Sequence, residues 1–241
     1  MKILIIPDVH GRDFWRYPIK EKWDKIVFLG DYTDPYPGEA MRSEVLSNLI
    51  DIVEFKRKNP EKVTLLWGNH DLPYWCEPYR GNMSYFCRHD SIRHGDIKAF
   101  FEENIDKFQW ADQKDNFLFT HAGINNGFAK LLGEEYGEVN ADVINNFFND
   151  EKNQMLLAMV SYYRGGYEKF SSPVWADIHE HWGQVPNKYI NKFFQIFGHT
   201  YSKKQIITKN WAMLDVGGEY AYLDNGILMN QYDIKLEITK V

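Results

Sequence analysis

The chain has 241 residues, 44% hydrophobic and 26% charged, with a formal net charge of −6. That length buries a core large enough to need no staples, so residues 1–241 are expected to form one domain. The acidic balance without a lysine–arginine cluster argues against duplex nucleic acid, no apolar run approaches the ~18 residues of a membrane span, and two cysteines, Cys76 and Cys87, make no disulfide framework.

The opening "MKILIIPDVHG" breaks its apolar run at Pro7-Asp8 and offers no small-residue cleavage site, so a cytoplasmic location is expected. Residues 2–6, 25–30 and 62–68 are short continuous apolar runs, the pattern of strands covered on both faces. Between the second and third, Met41, Val45, Leu49, Ile52 and Val53 share one helical face, and Asn59-Pro60 stops it. This β-α-β-α-β alternation predicts a parallel or mixed sheet flanked by helices. Residues 71–95, rich in aromatics and turn formers, are too long for a simple connection and read as a functional loop. Cys87, His89 and His94 in that region fit no short zinc pattern. Residues 96–106 read as a helix, 116–123 as a strand, and 139–162 as a helix broken near Asn149-Asp150. A second long loop, 164–186, precedes six consecutive strands beginning at "FFQIFGH" and joined by short turns such as Asp224-Asn225-Gly226. A parallel-rich half and a meander half predict two packed sheets with helices outside.

The strand ends share one chemistry. "PDVHG" supplies Asp8 and His10, "GDYTD" supplies Asp31 and Asp34, and "GNHD" supplies Asn69, His70 and Asp71. Later strands end in "THAG" with His121 and "FGHT" with His199. Ligands of open α/β sheets bind beyond the carboxyl ends of the strands, so these groups should converge on one crevice. Mixed oxygen and imidazole donors suit manganese, iron or zinc better than calcium. Two carboxylates, one amide oxygen and three imidazoles are too many for one tetrahedral ion with an open position. They suit two divalent ions, manganese foremost, that share a bridging carboxylate at roughly 3.5–4 Å.

These motifs resemble those of the calcineurin-like metallophosphoesterases, and in particular their phosphoprotein-phosphatase branch. That pattern runs D-x-H-G, G-D-x-x-D, G-N-H-D/E, H-A/G-G and a late G-H, and here it spans residues 8 to 200. The resemblance implies a four-layer α-β-β-α sandwich of two mixed sheets flanked by helices, which agrees with the strand reading. It implies that Asp8 and His10 hold one metal, that Asp31 bridges, and that Asn69, His121 and His199 hold the second. His70 would be the catalytic histidine, oriented by Asp34.

Three departures narrow the expectation. Many phosphodiesterases of the superfamily carry G-H-x-H, whereas the second histidine position here is Tyr201, which favours monoester or anhydride chemistry. The phosphatase branch follows its second aspartate with a phosphate-gripping arginine, and this chain has Pro35; Trp67 likewise stands where an arginine could precede "GNH". Phosphate must be held from elsewhere, by Arg164 of "YYRGGY" ahead of "SSPVWAD", or by Arg80 of "EPYRGN". A phosphatase acting on a phosphorylated small molecule, nucleotide or phosphopeptide is expected. A dinucleoside polyphosphate hydrolase shares nearly every motif, a nuclease or cyclic-nucleotide phosphodiesterase fits Tyr201 and the acidic charge less well, and a catalytically inactive binding module of the same fold is the rival from another class.

Overall fold

The three apolar runs pair in the computed structural model, which describes residues 1–76 and 86–239. Strand β1 (Lys2–Ile6) runs parallel to β2 (Lys25–Phe28), and β2 parallel to β3 (Val63–Leu66). Alternation explains why each run is apolar throughout. Leu4, Ile6, Ile26, Phe28 and Leu65 share a buried cluster with Leu49, Ile52 and Val53 of the helix Val45–Lys58. The residues between them, Ile3, Ile5, Val27, Leu29 and Leu66, share another with Phe119, Ile196, Ala212 and Leu214 of a second sheet. Both faces of the first sheet are therefore dry.

After β3 the chain adds β4 (Phe108–Gln109), turns at Trp110, and opens the second sheet with β5 (Ala111–Lys114), β6 (Phe117–Thr120), β7 (Phe194–Phe197), β8 (Ile206–Ile207) and β9 (Trp211–Met213). Strands β10 (Ala221–Asp224) and β11 (Ile227–Asn230) then return to the first sheet beside β1. The orders are β11-β10-β1-β2-β3-β4 and β5-β6-β7-β9-β8, two mixed sheets. On the outer side of the second sheet, the helices Asn126–Tyr136 and Ala141–Asn149 bring Phe128, Leu132, Ile144 and Phe148 into the cluster that holds Ala111 and Leu118. The expected sandwich of two mixed sheets flanked by helices is present. Among the described residues no helix is long and apolar enough to cross a membrane.

Several elements differ from the sequence expectation. The β1–β2 crossover contains two 3-10 turns, Phe14–Arg16 and Pro18–Lys20, where the alternation predicted an α-helix. Met41 precedes the helix and is 64% exposed. The helix Asn126–Tyr136 was not expected, although the Asn125 side chain accepts from Phe128 N at its start and Gly137 adopts φ 80° at its end. The helix predicted over 139–162 breaks at Asn149-Asp150 as expected, but Glu151–Ala158 beyond the break is 3-10 and not α. The late strands are no single meander: β7 and β9 run parallel, and "IKLEITK" forms no strand, only the bridge Met229–Lys235.

Parallel pairing fixes where the polar strand ends lie. The carboxyl ends of β1, β2 and β3 share one edge of the first sheet, and those of β6, β7 and β9 share one edge of the second.

Candidate metal centre

Asp8, His10, Asp31, Asp34, Asn69, His70, His121 and His199 are all buried, none more than 8% exposed. Four of them occupy the left-handed backbone region that side chains other than glycine avoid: His10 at φ 47°, Asp31 at 52°, Asp34 at 56° and His199 at 68°. Such strain persists only where surrounding contacts impose it, and it concentrates at functional sites. One contact is the close approach of the β2 and β3 loops. A Cβ on Gly30 would lie 2.6 Å from Gly68 N, so both loops keep glycine before their polar residues. Asp71 fastens the same pair of loops, its carboxylate accepting from Gly68 N (3.0 Å), Tyr32 N (2.9 Å) and Thr33 Oγ1 (3.2 Å). It is a brace, a role its place in "GNHD" did not disclose.

The imidazoles are oriented by main-chain carbonyls. His10 Nδ1 donates to Thr33 O at 2.8 Å and His121 Nδ1 donates to Leu29 O at 2.9 Å. A carbonyl only accepts, so in both neutral rings the Nε2 lone pair is left for the interior. Around His121 Nε2 stand Asn69 Oδ1 at 2.9 Å, His199 Nδ1 at 3.2 Å and Asp31 Oδ1 at 3.5 Å. The Asn69 amide nitrogen is turned to Cys87 Sγ, so its oxygen faces the acceptors. His10 Nε2 lies 3.6 Å from Asp31 Oδ2. Acceptors packed against acceptors repel unless a cation lies between them. His199 Nε2 is moreover buried without a hydrogen-bond partner among the described residues. The donor set fits divalent cations.

Burial acts in the same direction. It holds the pKa values of His10, His70, His121 and His199 below the usual histidine range, so the rings are neutral, as metal ligation requires. Burial, and then the nearby Asp8 carboxylate, push Asp31 well above the usual carboxylate range. Two ligand sets emerge: His10, Asp31 and His70 present ligand atoms within 4.8 Å of one another, and so do Asp31, His121 and His199. Asp31 belongs to both. The Asp8 carboxylate accepts from His199 N at 2.9 and 3.1 Å, and the tight set around His10 contains His70 in its place.

His70 has a second partner, since its Nδ1 lies 3.0 Å from Asp34 Oδ2. The other Asp34 oxygen accepts from Tyr74 OH, and burial raises the Asp34 pKa to about 6. Arg164 ends a 3-10 turn, donates from Nη2 to Thr200 Oγ1 at 2.6 Å, and places Nε 2.7 Å from Asp177 Oδ2. Its charge helps to depress the His199 pKa, after burial. Arg80 lies outside the described residues. Tyr201 is 59% exposed.

Two further residues went unnoticed in the sequence. Asp215 follows β9 and is buried, and burial with the Asp8 charge raises its pKa to about 8. The strand-end pattern applied to "WAMLD" would have found it. Arg88 reaches the centre from a turn at residues 86–88, and no local sequence signal marks it.

The calcineurin-like phosphoesterase family model matches residues 1–203, and the chain belongs to that family, which makes it a phosphoric ester hydrolase whose chemistry implies divalent metal ions. The fold is similar to that of a cold-active protein tyrosine phosphatase, with a TM-score of 0.64 at 16% identity over 98% of this chain and 79% of that one. A protein serine/threonine phosphatase from Saccharomyces cerevisiae gives a TM-score of 0.52 at 12% identity, over 100% of this chain and 81% of that one. No curated protein matches the sequence.

Proposed function

We propose that the protein is a dinuclear-metal phosphatase that hydrolyses phosphomonoesters. The observation that carries this reading is Asp31, shared by two buried ligand sets. Asp8 and His10 would hold one ion, Asn69, His121 and His199 the other, and Asp31 would serve both. Manganese suits this mixture of oxygen and imidazole donors, with iron and zinc as the other fits. When bound, such ions supply a water nucleophile near neutral pH and offset phosphoryl charge. The protein's own part is positional. Main-chain carbonyls fix the tautomers of His10 and His121. Asp34 accepts from His70 Nδ1, so His70 would hand a proton from Nε2 to the leaving oxygen only as the imidazolium, a form that the adjacent Asp34 carboxylate and the charge of a bound phosphoryl group would favour. Arg164, pre-oriented by Asp177 and Thr200, would donate to the substrate phosphate. Tyr201 supports the monoester reading, because its exposed ring brings no ligand to the centre.

The reading takes residues 1–241 as one domain, since its ligands run from Asp8 to His199 across both sheets. It includes a cytoplasmic location, supported by a cysteine count of two, too few for a disulfide framework. Elemental analysis after anaerobic reconstitution should give two divalent ions per chain, and excess chelator should abolish hydrolysis of a phosphomonoester. One ion per chain, or full turnover in chelator, would overturn the dinuclear centre. A panel of phosphomonoesters, diesters, dinucleoside polyphosphates and phosphopeptides under manganese tests the substrate class, with monoesters expected to be turned over fastest.

Arg164→Ala should lower kcat/KM by about 10- to 150-fold with metal content unchanged, the range set by one charge-assisted hydrogen bond. Arg164→Lys should fall between, because lysine keeps the charge and loses the planar fork. An unchanged kcat/KM in Arg164→Ala would remove Arg164 from the site.

A further inference from the structure

The two arginines near the centre differ in one respect. The Arg164 charge is matched by Asp177 at 2.7 Å. Arg88 is half-buried and is paired with no carboxylate among the described residues, yet it is firmly held. Its Nε and Nη2 both donate to Asp34 O, at 3.1 and 2.9 Å. Its guanidinium lies 3.5 Å from the centroid of the Tyr36 ring, a cation–π contact. Nη2 also lies 3.4 Å from His10 Nδ1 and 3.5 Å from His10 Nε2. The guanidinium is thus clamped between a carbonyl, an aromatic face and a residue of the metal centre, with no ion pair of its own among the described residues.

The position of the anchor matters. Asp34 O is the carbonyl immediately before Pro35, on the same residue whose side chain lies 3.0 Å from His70 Nδ1. Arg88 delivers a guanidinium to that point from a segment fifty-four residues further along the chain.

A recess of about 530 Å³ opens beside it, lined in part by Tyr36, Arg42, Arg88 and His89, and among the described residues no aspartate or glutamate contributes to its wall. Another recess, of about 560 Å³, mixes Arg12 and Arg16 with Asp13, Glu39 and Glu44, and Arg12 there is paired with Glu39 at 3.0 Å. In a chain of net charge −6, a recess whose described lining carries Arg42 and Arg88 and no carboxylate favours an anion locally.

We propose that Arg88 binds the phosphoryl oxygens of the substrate, which approaches the metal centre through this recess. The inference rests on the phosphoesterase reading and adds a residue that no motif assigns. The carbonyl and Tyr36 pre-set the guanidinium plane, so its remaining N–H donors can meet two phosphoryl oxygens with little reorganisation.

The test uses the manganese-loaded full chain, with inorganic phosphate as the probe. Arg88→Ala should lower kcat/KM for a phosphomonoester by about 10- to 150-fold and weaken inhibition by phosphate by a similar factor, with two ions still bound. Arg88→Lys should recover part of both, because the charge remains while the bidentate anchor on Asp34 O is lost. Unchanged phosphate inhibition in Arg88→Ala, beside an active wild type, overturns this inference alone. Loss of bound metal in both variants also overturns it, since Arg88 would then be a support for His10. A wild-type protein that hydrolyses no phosphate ester overturns the functional reading itself.

Discussion

Asp31→Asn is expected to reduce bound divalent metal to one ion or fewer per chain and to lower turnover by ~10³-fold or more, beyond the 10- to 100-fold usual for a residue that only supports a ligand. Asp31 is the member common to both ligand sets, with Oδ1 3.5 Å from His121 Nε2 and Oδ2 3.6 Å from His10 Nε2. The amide keeps an oxygen that can accept from His70 N, as Oδ1 does at 2.8 Å, so the loop after β3 should retain its conformation. What the substitution removes is the negative charge between two cations. It also replaces one oxygen with an NH2 donor, facing an imidazole lone pair that had awaited a metal. Burial and the neighbouring Asp8 disfavour the ionised form of Asp31 when no cation is present. The metal-free variant should therefore melt no lower than the metal-free wild type, while the wild type gains more stability than the variant on adding manganese. Two ions and wild-type turnover in Asp31→Asn would exclude a bridging role.

The convergence of these side chains was legible in the sequence because they are local to strand ends. β1 occupies Lys2–Ile6 as its apolar run indicates, and a buried parallel strand must stop where polar side chains begin. Asp8, Asp31 and Asn69 follow such ends in the first sheet and His121 and His199 in the second, so topology delivers them to one edge of each sheet. Residues placed by tertiary contact were not legible. Arg88 reaches the centre because Asp34 O and the Tyr36 ring hold it there, and neither is near it in sequence. The sheet assignment of β10 and β11 was hidden for a similar reason. "YAYLD" pairs with β1 across the whole chain, Leu223 opposite Ile3, and nothing in the strand itself selects that partner over neighbouring β9. The short strands β4 and β5, either side of Trp110, carry too few residues for a period to emerge. Asn126–Tyr136 is a different case. Its Asn125 cap and Gly137 stop were present as signals, and the helix could have been read from them.

His70→Asn should separate proton transfer from metal binding. His70 stands in two relationships: its Nδ1 lies 3.0 Å from Asp34 Oδ2, and it also falls within the tight set formed with His10 and Asp31. As a proton donor it would owe its orientation to Asp34, whose other oxygen is held by Tyr74 OH. The asparagine amide can still donate to Asp34, so the Asp34–Tyr74 pair should persist. The variant loses only the group able to protonate a leaving oxygen, and removal of one general acid lowers rate by about 10²- to 10⁴-fold. The expected result is two ions per chain with turnover reduced by that factor. The loss should be smaller for a substrate whose leaving oxygen is already a good anion, such as a nitrophenolate, because that oxygen needs no proton to depart. A ligand role predicts otherwise. One ion would be lost together with activity, and the loss would be the same for good and poor leaving groups. The dependence on leaving group therefore decides the role of His70 even if metal content falls only in part, since a weakened metal site slows both substrates alike and a missing acid does not.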